Sequence, residues 1–169
     1  MIRPERRYAE GEMRARSRST CIFCSSEANS DEDVFPSWLV KLVGQHALLV
    51  SGPGGRETKK VINLRLKARV VCSTCNNGWM SRIEERVKPV LGPMLTGHAA
   101  ALDSAAQVAL ARWAIKTSMV MEYALERAEE SVYWTAEERS GFAATPHKRP
   151  GDARVLIGTY FGRAMEGAS

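Results

Sequence analysis

The chain has 169 residues, 44% hydrophobic and 25% charged, which excludes collagen-like, mucin-like and wholly disordered proteins. Its 24 lysines and arginines exceed its 19 aspartates and glutamates, and the resulting net charge of +5 permits a nucleic-acid partner without requiring one. The most apolar stretch, residues 108–125, is interrupted by Arg112, Lys116 and Glu122, so no membrane span is expected. The N-terminus lacks the apolar segment of a secretory signal, and we therefore expect a cytoplasmic protein with reduced cysteines.

The first part of the chain divides into an arm, a loop and a short helix. Residues 1–18 carry many arginines and few large apolar side chains, which is typical of a basic arm or of a solvated tail without a role. Residues 29–33 are turn formers and predict a loop. Residues 36–43 predict a helix with Pro36 in its first turn and one apolar face. That face consists of Trp38, Leu39, Leu42 and Val43.

Short, partly β-branched segments on both sides of a glycine-rich turn predict strands. These segments are residues 47–50, 61–66 and 68–72. A basic run accompanies them and consists of Lys59, Lys60, Arg65, Lys67 and Arg69. The run is a candidate nucleic-acid-binding surface. The alternative is a solvated edge strand whose basic side chains prevent aggregation with other strands.

Helical periodicity dominates the second half of the chain. Apolar residues at helical spacing predict a helix over residues 76–87, ended by Pro89 and followed by a break at residues 92–93. Ser104 and Gln107, after Asp103, resemble a capping box at the start of the longest helix. The remaining predicted elements are that helix to about residue 128, a short helix at 135–142 and a strand at 154–161.

The four cysteines form two pairs with the same internal spacing. Cys21 and Cys24 make the first C-x2-C pair, Cys72 and Cys75 make the second, and 47 residues separate the pairs. This spacing lets two thiolates from one tight turn reach a single tetrahedral metal at about 2.3 Å each. Two such pairs together supply the four ligands of a structural zinc site. The alternatives are that one pair is a redox site and the second pair is a coincidence, or that all four cysteines are buried free thiols.

Sequence blocks around these pairs resemble the HNH endonuclease family, in particular a bacterial and phage branch with zinc knuckles. The first block is EDVFPSWL at residues 32–39, and the second is VCSTCNNGWM at residues 71–80. The similarity continues through LARWAIK at residues 110–116 and so covers most of residues 21–125. The second block is quite specific, whereas the cysteine pairs alone would not single out this family.

The resemblance implies a ββα unit that grips one divalent cation and hydrolyses DNA phosphodiester bonds. By position, Glu32 matches the acidic metal ligand of the family and Asn76 matches the other protein ligand. A carboxylate and an amide oxygen suit Mg²⁺ or Mn²⁺. Residue types alone also allow a different interpretation, in which the acids favour the N-terminus of the helix that follows Pro36 and Asn76 caps the next helix.

Asp33 stands where the family has the histidine that acts as general base. An unperturbed carboxylate has a pKa near 3.9 against about 6.5 for imidazole, so Asp33 is a weaker base. Losing a base poised near neutrality costs roughly 10²–10⁴-fold in rate. Three interpretations stay open: Asp33 is a poor but working base, it is a second carboxylate ligand, or the chain keeps the fold without the chemistry.

The sequence therefore predicts an α+β protein: a basic arm over residues 1–18, a zinc-knuckled ββα unit over 19–92, and a long helix with a C-terminal strand over 93–169. The leading predicted function is a metal-dependent HNH-type DNA endonuclease, weakened at Asp33. The alternative is a catalytically inactive HNH-like zinc module that binds DNA or a protein. A third possibility is a purely structural or interaction zinc protein, for which the basic run is incidental.

Overall fold

The computed structural model describes residues 19–43, 64–124, 133–145 and 154–158. These ranges contain helices and one small antiparallel sheet, so the predicted α+β class is confirmed. The elements in chain order are β1 (Ser30–Asp33), α1 (Ser37–Val43), β2 (Lys67–Val71), α2 (Ser73–Cys75), a π-helical turn (Asn76–Met80), α3 (Ser81–Leu95), α4 (Ser104–Ala124) and α5 (Ala136–Ala144). Within these ranges no helix combines the length and apolarity needed to cross a membrane.

The strand β1 lies where a loop was predicted over residues 29–33, and that prediction was wrong. β1 pairs antiparallel with β2, with Glu32 opposite Ala68, and an irregularity interrupts the register between Ser30 and Glu32. Serine and aspartate are poor strand formers, but their propensity is outweighed here by tertiary partners. Asn29 Oδ1, for example, accepts a hydrogen bond of 2.8 Å from the backbone N–H of Ser73. This hydrogen bond fixes Asn29, the residue before β1, to the start of α2.

The other strand predictions have mixed outcomes. The strand expected at residues 68–72 is confirmed as β2, and the prediction at 47–50 lies outside the described residues. Residues 64–66 continue the chain into β2 without being a strand themselves, although Leu66 O accepts a hydrogen bond from Val34 N. Residues 154–158, predicted to begin a strand, are not one in the structure. Leu156 is 93% exposed and Ile157 50%, and Val155 alone among the apolar side chains of this segment packs against the core.

The helix α3 continues through Pro89 and Pro93, so the predicted end near Pro89 and the break at residues 92–93 were wrong. A proline removes one backbone donor and leaves the carbonyl four residues earlier without its helical partner. Glu85, Pro89 and Pro93 all lie on the exposed side of α3, where water can satisfy these carbonyls. The helix instead ends in a Schellman arrangement with Gly97 at φ +81°, where His98 N donates to Pro93 O at 2.9 Å.

The remaining helix predictions hold with small changes. The helix predicted at residues 36–43 is α1, whose buried residues are Leu39 and Val40. The predicted long helix is α4; its described part ends at Ala124, and Asp103 rather than Ser104 caps it, through a 2.8 Å hydrogen bond from Ala106 N to Asp103 Oδ1. The predicted helix at 135–142 is α5, which starts with a complete capping box between Thr135 and Glu138.

One hydrophobic core joins the cysteine-bearing segments to α4 and α5. It brings Phe23 and Val70 together with Met119, Val120 and Phe142. The predicted boundary between residues 92 and 93 lies inside α3. Residues on both sides of that boundary therefore share one core.

Candidate metal centre and the buried ion triad

The four cysteines come together, with ligand atoms that all lie within 4.8 Å of one another. Cys24 Sγ is 3.5 Å from Cys72 Sγ and 3.6 Å from Cys75 Sγ. Four thiolates at about 2.3 Å from one tetrahedral metal are separated by roughly 3.8 Å, so these separations fit such a metal. Cys21, Cys72 and Cys75 are buried and Cys24 is exposed. The set closes a four-sulfur shell, which suits a structural metal and leaves no open position for catalysis.

The first cysteine pair lies in a tight turn. Ser25 N donates to Cys21 O at 3.2 Å, and Cys21 N donates to Ser26 O at 2.7 Å. Ser25 has φ 60°, the left-handed conformation that lets the chain reverse immediately after Cys24. Ile22 N donates to Val70 O at 3.0 Å, which fixes this turn to β2.

The second pair lies at the junction of β2 and the helices. Cys72 precedes α2, and its Sγ accepts a hydrogen bond of 3.4 Å from Cys75 N. Asn76 N donates to Cys72 O at 3.0 Å and continues the turn into the π-helical segment. The second pair is therefore positioned by the helix α2. The first pair, in contrast, is positioned by a non-helical turn.

The thiols differ in how readily they lose a proton. Burial raises the pKa of Cys21 and of Cys75 above the ordinary value of a thiol. Burial also raises the pKa of Cys24, but hydrogen bonds from Ser26, and then from Cys72 and Cys75, outweigh it and leave this pKa at about 6. A thiolate is the form that binds metal, and Cys24 is the one exposed thiol of the four.

A chain of three aromatic rings links the first cysteine turn to α5. The ring centroids of Phe23 and Trp79 are 4.9 Å apart at an interplanar angle of 89°, and those of Trp79 and Phe142 are 5.6 Å apart. Edge-to-face contacts of this kind stabilise by about 0.5–1.5 kcal/mol beyond area burial. Trp79 thus packs the first cysteine turn against α5.

Glu32 is the most buried of the three predicted catalytic residues, and its partner is a lysine. Lys116 Nζ donates to Glu32 Oε1 at 2.8 Å and to Glu84 Oε1 at 2.9 Å, forming an ion triad between β1, α3 and α4. Lys116 is 0% exposed and Glu32 is 4% exposed. Burial lowers the pKa of Lys116, but the charges of Glu32 and Glu84 outweigh it and raise this pKa overall. Burial also raises the pKa of Glu32, against the opposing effect of Lys116.

Asp33 lies on the other face of the sheet from Glu32, since successive strand residues point to opposite faces. Its Oδ1 is 3.7 Å from Lys67 Nζ, and both side chains are well exposed. The structure therefore does not bring the predicted base together with the predicted carboxylate ligand. Lys116 already holds Glu32 Oε1 at 2.8 Å inside the fold, so a hydrated Mg²⁺ or Mn²⁺ would have to displace this ammonium group to bind the same oxygen.

Asn76 serves as a clamp between the second cysteine pair and β1. Its Nδ2 donates to Ser30 Oγ at 2.8 Å and to Asp31 O at 3.3 Å. These contacts hold Asn76 near the start of β1. Its partners Ser30 and Asp31 lie two residues and one residue before Glu32 in the sequence. It does not cap a helix through its side chain, which was the other interpretation of this residue.

The predicted basic surface is described only in part. Lys59 and Lys60 lie outside the described residues. Arg65, Lys67 and Arg69 are exposed and alternate with the buried residues Leu66 and Ala68. Two ion pairs partly neutralise this face, Lys67 with Asp33 at 3.7 Å and Arg69 with Asp31 at 3.9 Å.

Sequence reasoning did not identify Lys116 or Glu84 as partners of Glu32. A lysine inside an otherwise apolar helical segment is the signal that indicates a buried ion pair, because an unpaired buried charge is strongly unfavourable. Arg112 carries the same signal: its guanidinium donates to Phe142 O and Thr145 O, both at 3.1 Å.

Comparison of this chain with protein-family models, with curated proteins and with solved structures finds no match. The site is therefore interpreted from its own geometry.

Proposed function

We propose that this chain is a zinc-organised, HNH-like module that binds nucleic acid without cleaving it. The observation that carries this proposal is the buried triad, in which an ammonium group lies where a catalytic cation would need to bind Glu32. Asp33, on the opposite face, has no route to the same ion. Of the predicted functions, the inactive zinc module is the one that this geometry supports best.

Zinc is the metal we propose for the cysteine cluster. Soft thiolate ligands select zinc over the hard cations Mg²⁺ and Ca²⁺, and a closed tetrahedral four-sulfur shell is typical of structural zinc. Two turns from distant parts of the chain supply the ligands, so the ion would tie the loop before β1 to the helix that follows β2. The order of the elements around it, with the second cysteine pair leading from β2 into a helix, supports the HNH-like interpretation.

The exposed face of β2 is the proposed nucleic-acid surface. Lys67 and Arg69 project from the same face of β2, and Arg65, just before the strand, continues the alternation of exposed and buried residues. Their ion pairs with Asp33 and Asp31 are long and solvated, and such pairs contribute only about 0–1 kcal/mol. The two cations are therefore easily transferred from these carboxylates to phosphates.

Neutralising this face is expected to weaken binding equally for unrelated DNA sequences. In Arg65→Gln/Lys67→Gln/Arg69→Gln, each lost phosphate contact lowers the slope of log affinity against log salt by about 0.9. Fluorescence anisotropy with a labelled duplex at several salt concentrations measures this slope. The control Lys41→Gln/Lys88→Gln removes exposed cations from α1 and α3 and leaves the slope unchanged. An unchanged slope in the triple variant assigns the face to solvation alone.

A second candidate function is the metal-dependent endonuclease. Asn76 favours it, because its side chain lies against β1 close to Glu32, as the resemblance implies. Cleavage would require Glu32 to leave Lys116 and accept Mg²⁺ or Mn²⁺.

Nicking of supercoiled plasmid separates the two functions. The inactive-module proposal expects no nicking by the native chain or by Asp33→His with Mg²⁺ or Mn²⁺ beyond an EDTA control. The endonuclease interpretation expects weak native nicking that Asp33→Ala abolishes and Asp33→His raises by about 10-fold or more. Metal-dependent nicking that follows this pattern in zinc-loaded protein would refute the inactive-module proposal.

A further inference from the structure

A cleft lies between α3 and α4, and its described lining includes none of the four cysteines and no residue of β2. Its volume is about 1010 Å³. Ile83 and Val90 of α3 line one wall, and Val108 of α4 lines the other. Val108 is 41% exposed, so part of this apolar lining faces solvent. The cleft is at the upper end of the size range of small-molecule sites, which is roughly 300–1,000 Å³.

Three arginines line the same cleft. Arg82 and Arg86 lie one turn apart on α3, and Arg112 reaches the cleft from α4. Among the described residues, no carboxylate lies within 4.0 Å of the guanidinium of Arg82 or Arg86. The acid that lines the cleft is Asp103, whose Oδ1 already accepts the N–H of Ala106 at the start of α4. The lining thus carries an excess of two positive charges.

Arg112 is held in place by the protein before any ligand arrives. Its guanidinium donates to the carbonyls of Phe142 and Thr145 and lies 4.1 Å from the centroid of the Phe142 ring. Burial, and then the charge of Arg86, lowers the pKa of Arg112. Like charges that line one cleft repel one another, and an anion placed between them would relieve the repulsion.

We propose that this cleft binds a small organic anion, with its carboxylate or phosphate group at Arg82, Arg86 and Arg112 and its apolar body along the walls. Residues four apart on a helix are neighbours, with about 5–6 Å between their Cβ atoms, so Arg82 and Arg86 can contact one head group together. Charged donors on a carboxylate or phosphate give the strongest hydrogen bonds available to such a ligand. This inference is independent of the proposed function, because the β2 face takes no part in it.

Calorimetric titration of the full chain, prepared with zinc, tests this proposal. Octanoate and octyl phosphate supply the two head groups, 1-octanol supplies the apolar body alone, and sulfate supplies the charge alone. We expect one octanoate or octyl phosphate per chain, bound more tightly than either partial probe. The ratio of their affinities identifies the preferred head group.

Arg82→Gln/Arg86→Gln is expected to weaken octanoate binding by about 10-fold or more, through the loss of two charged donors. Lys41→Gln/Lys88→Gln removes the same charge outside the cleft and leaves the affinity unchanged. Both arginines are exposed, and an unaltered melting temperature and zinc content in each variant verify the fold. Equal binding of octanol and octanoate, or full affinity in the arginine variant, would overturn the proposal. Displacement of octanoate by a DNA duplex would also overturn it, because it would assign the arginines to nucleic acid.

Discussion

Cys72→Ser is expected to abolish zinc binding and the cooperative unfolding transition of the chain. Cys72 is a buried ligand that links both cysteine pairs: its Sγ lies 3.5 Å from Cys24 Sγ and accepts the N–H of Cys75. Structural zinc supplies roughly 10–16 kcal/mol of apparent binding free energy in small peptides. That is as large as the whole stability of a typical domain, about 5–15 kcal/mol. Elemental analysis and thermal melting followed by circular dichroism measure both losses.

Ser73→Ala is the matched control for this variant. Ser73 is exposed and adjacent, and it is its backbone N–H, not its side chain, that donates to Asn29. This control is expected to keep one zinc ion and a wild-type melting temperature. Because Cys72→Ser can fail to accumulate, the native chain is also titrated with a strong chelator, which should unfold it. A chain that melts cooperatively at the wild-type temperature after losing its metal would refute a structural role for zinc.

The cysteine cluster could be predicted from sequence because its information is local. Each C-x2-C pair places two ligands within one turn. A four-cysteine metal site then requires only that the two turns come together in the fold. The α+β class and the long α4 could also be predicted, since hydrophobic periodicity over many residues is a strong signal. These parts of the structure depend little on distant partners.

The elements that were predicted wrongly depend on contacts that no local pattern contains. β1 is built from residues that favour turns, and it forms because Ser30 meets Asn76 and Glu32 meets Lys116 across the fold. The continuation of α3 through Pro89 likewise depends on which side of the helix faces solvent. Local propensity is outweighed in both cases by tertiary contacts that only the assembled fold provides.

Glu32 could be selected from the sequence, whereas the partner that the structure gives it could not. The resemblance selected Glu32 because of its neighbours in sequence, and in the structure Glu32 is a buried carboxylate. Its partner is 84 positions away on α4. Residues 110–116 belonged to the resembling segment, but the pairing of Lys116 with Glu32 could not be derived from that segment alone.

Lys116→Met is expected to destabilise the chain by about 3–5 kcal/mol, because it leaves Glu32 and Glu84 close together without their shared cation. Methionine preserves most of the apolar length of the lysine, so the loss reports on charge rather than on a cavity. Chemical denaturation with zinc present measures the free energy of unfolding. Lys88→Met, at an exposed position on α3, is the control and is expected to change this free energy by less than about 0.5 kcal/mol.

Removing the two carboxylates as well distinguishes lost compensation from a general packing defect. Lys116→Met/Glu32→Gln/Glu84→Gln has no buried charge in the triad and is expected to recover a large part of the lost stability, giving a strong coupling between the three sites. If the triple variant is as unstable as Lys116→Met, the ammonium group does not act by compensating the carboxylates. If Lys116→Met unfolds like the native chain, the triad does not stabilise the junction of β1, α3 and α4.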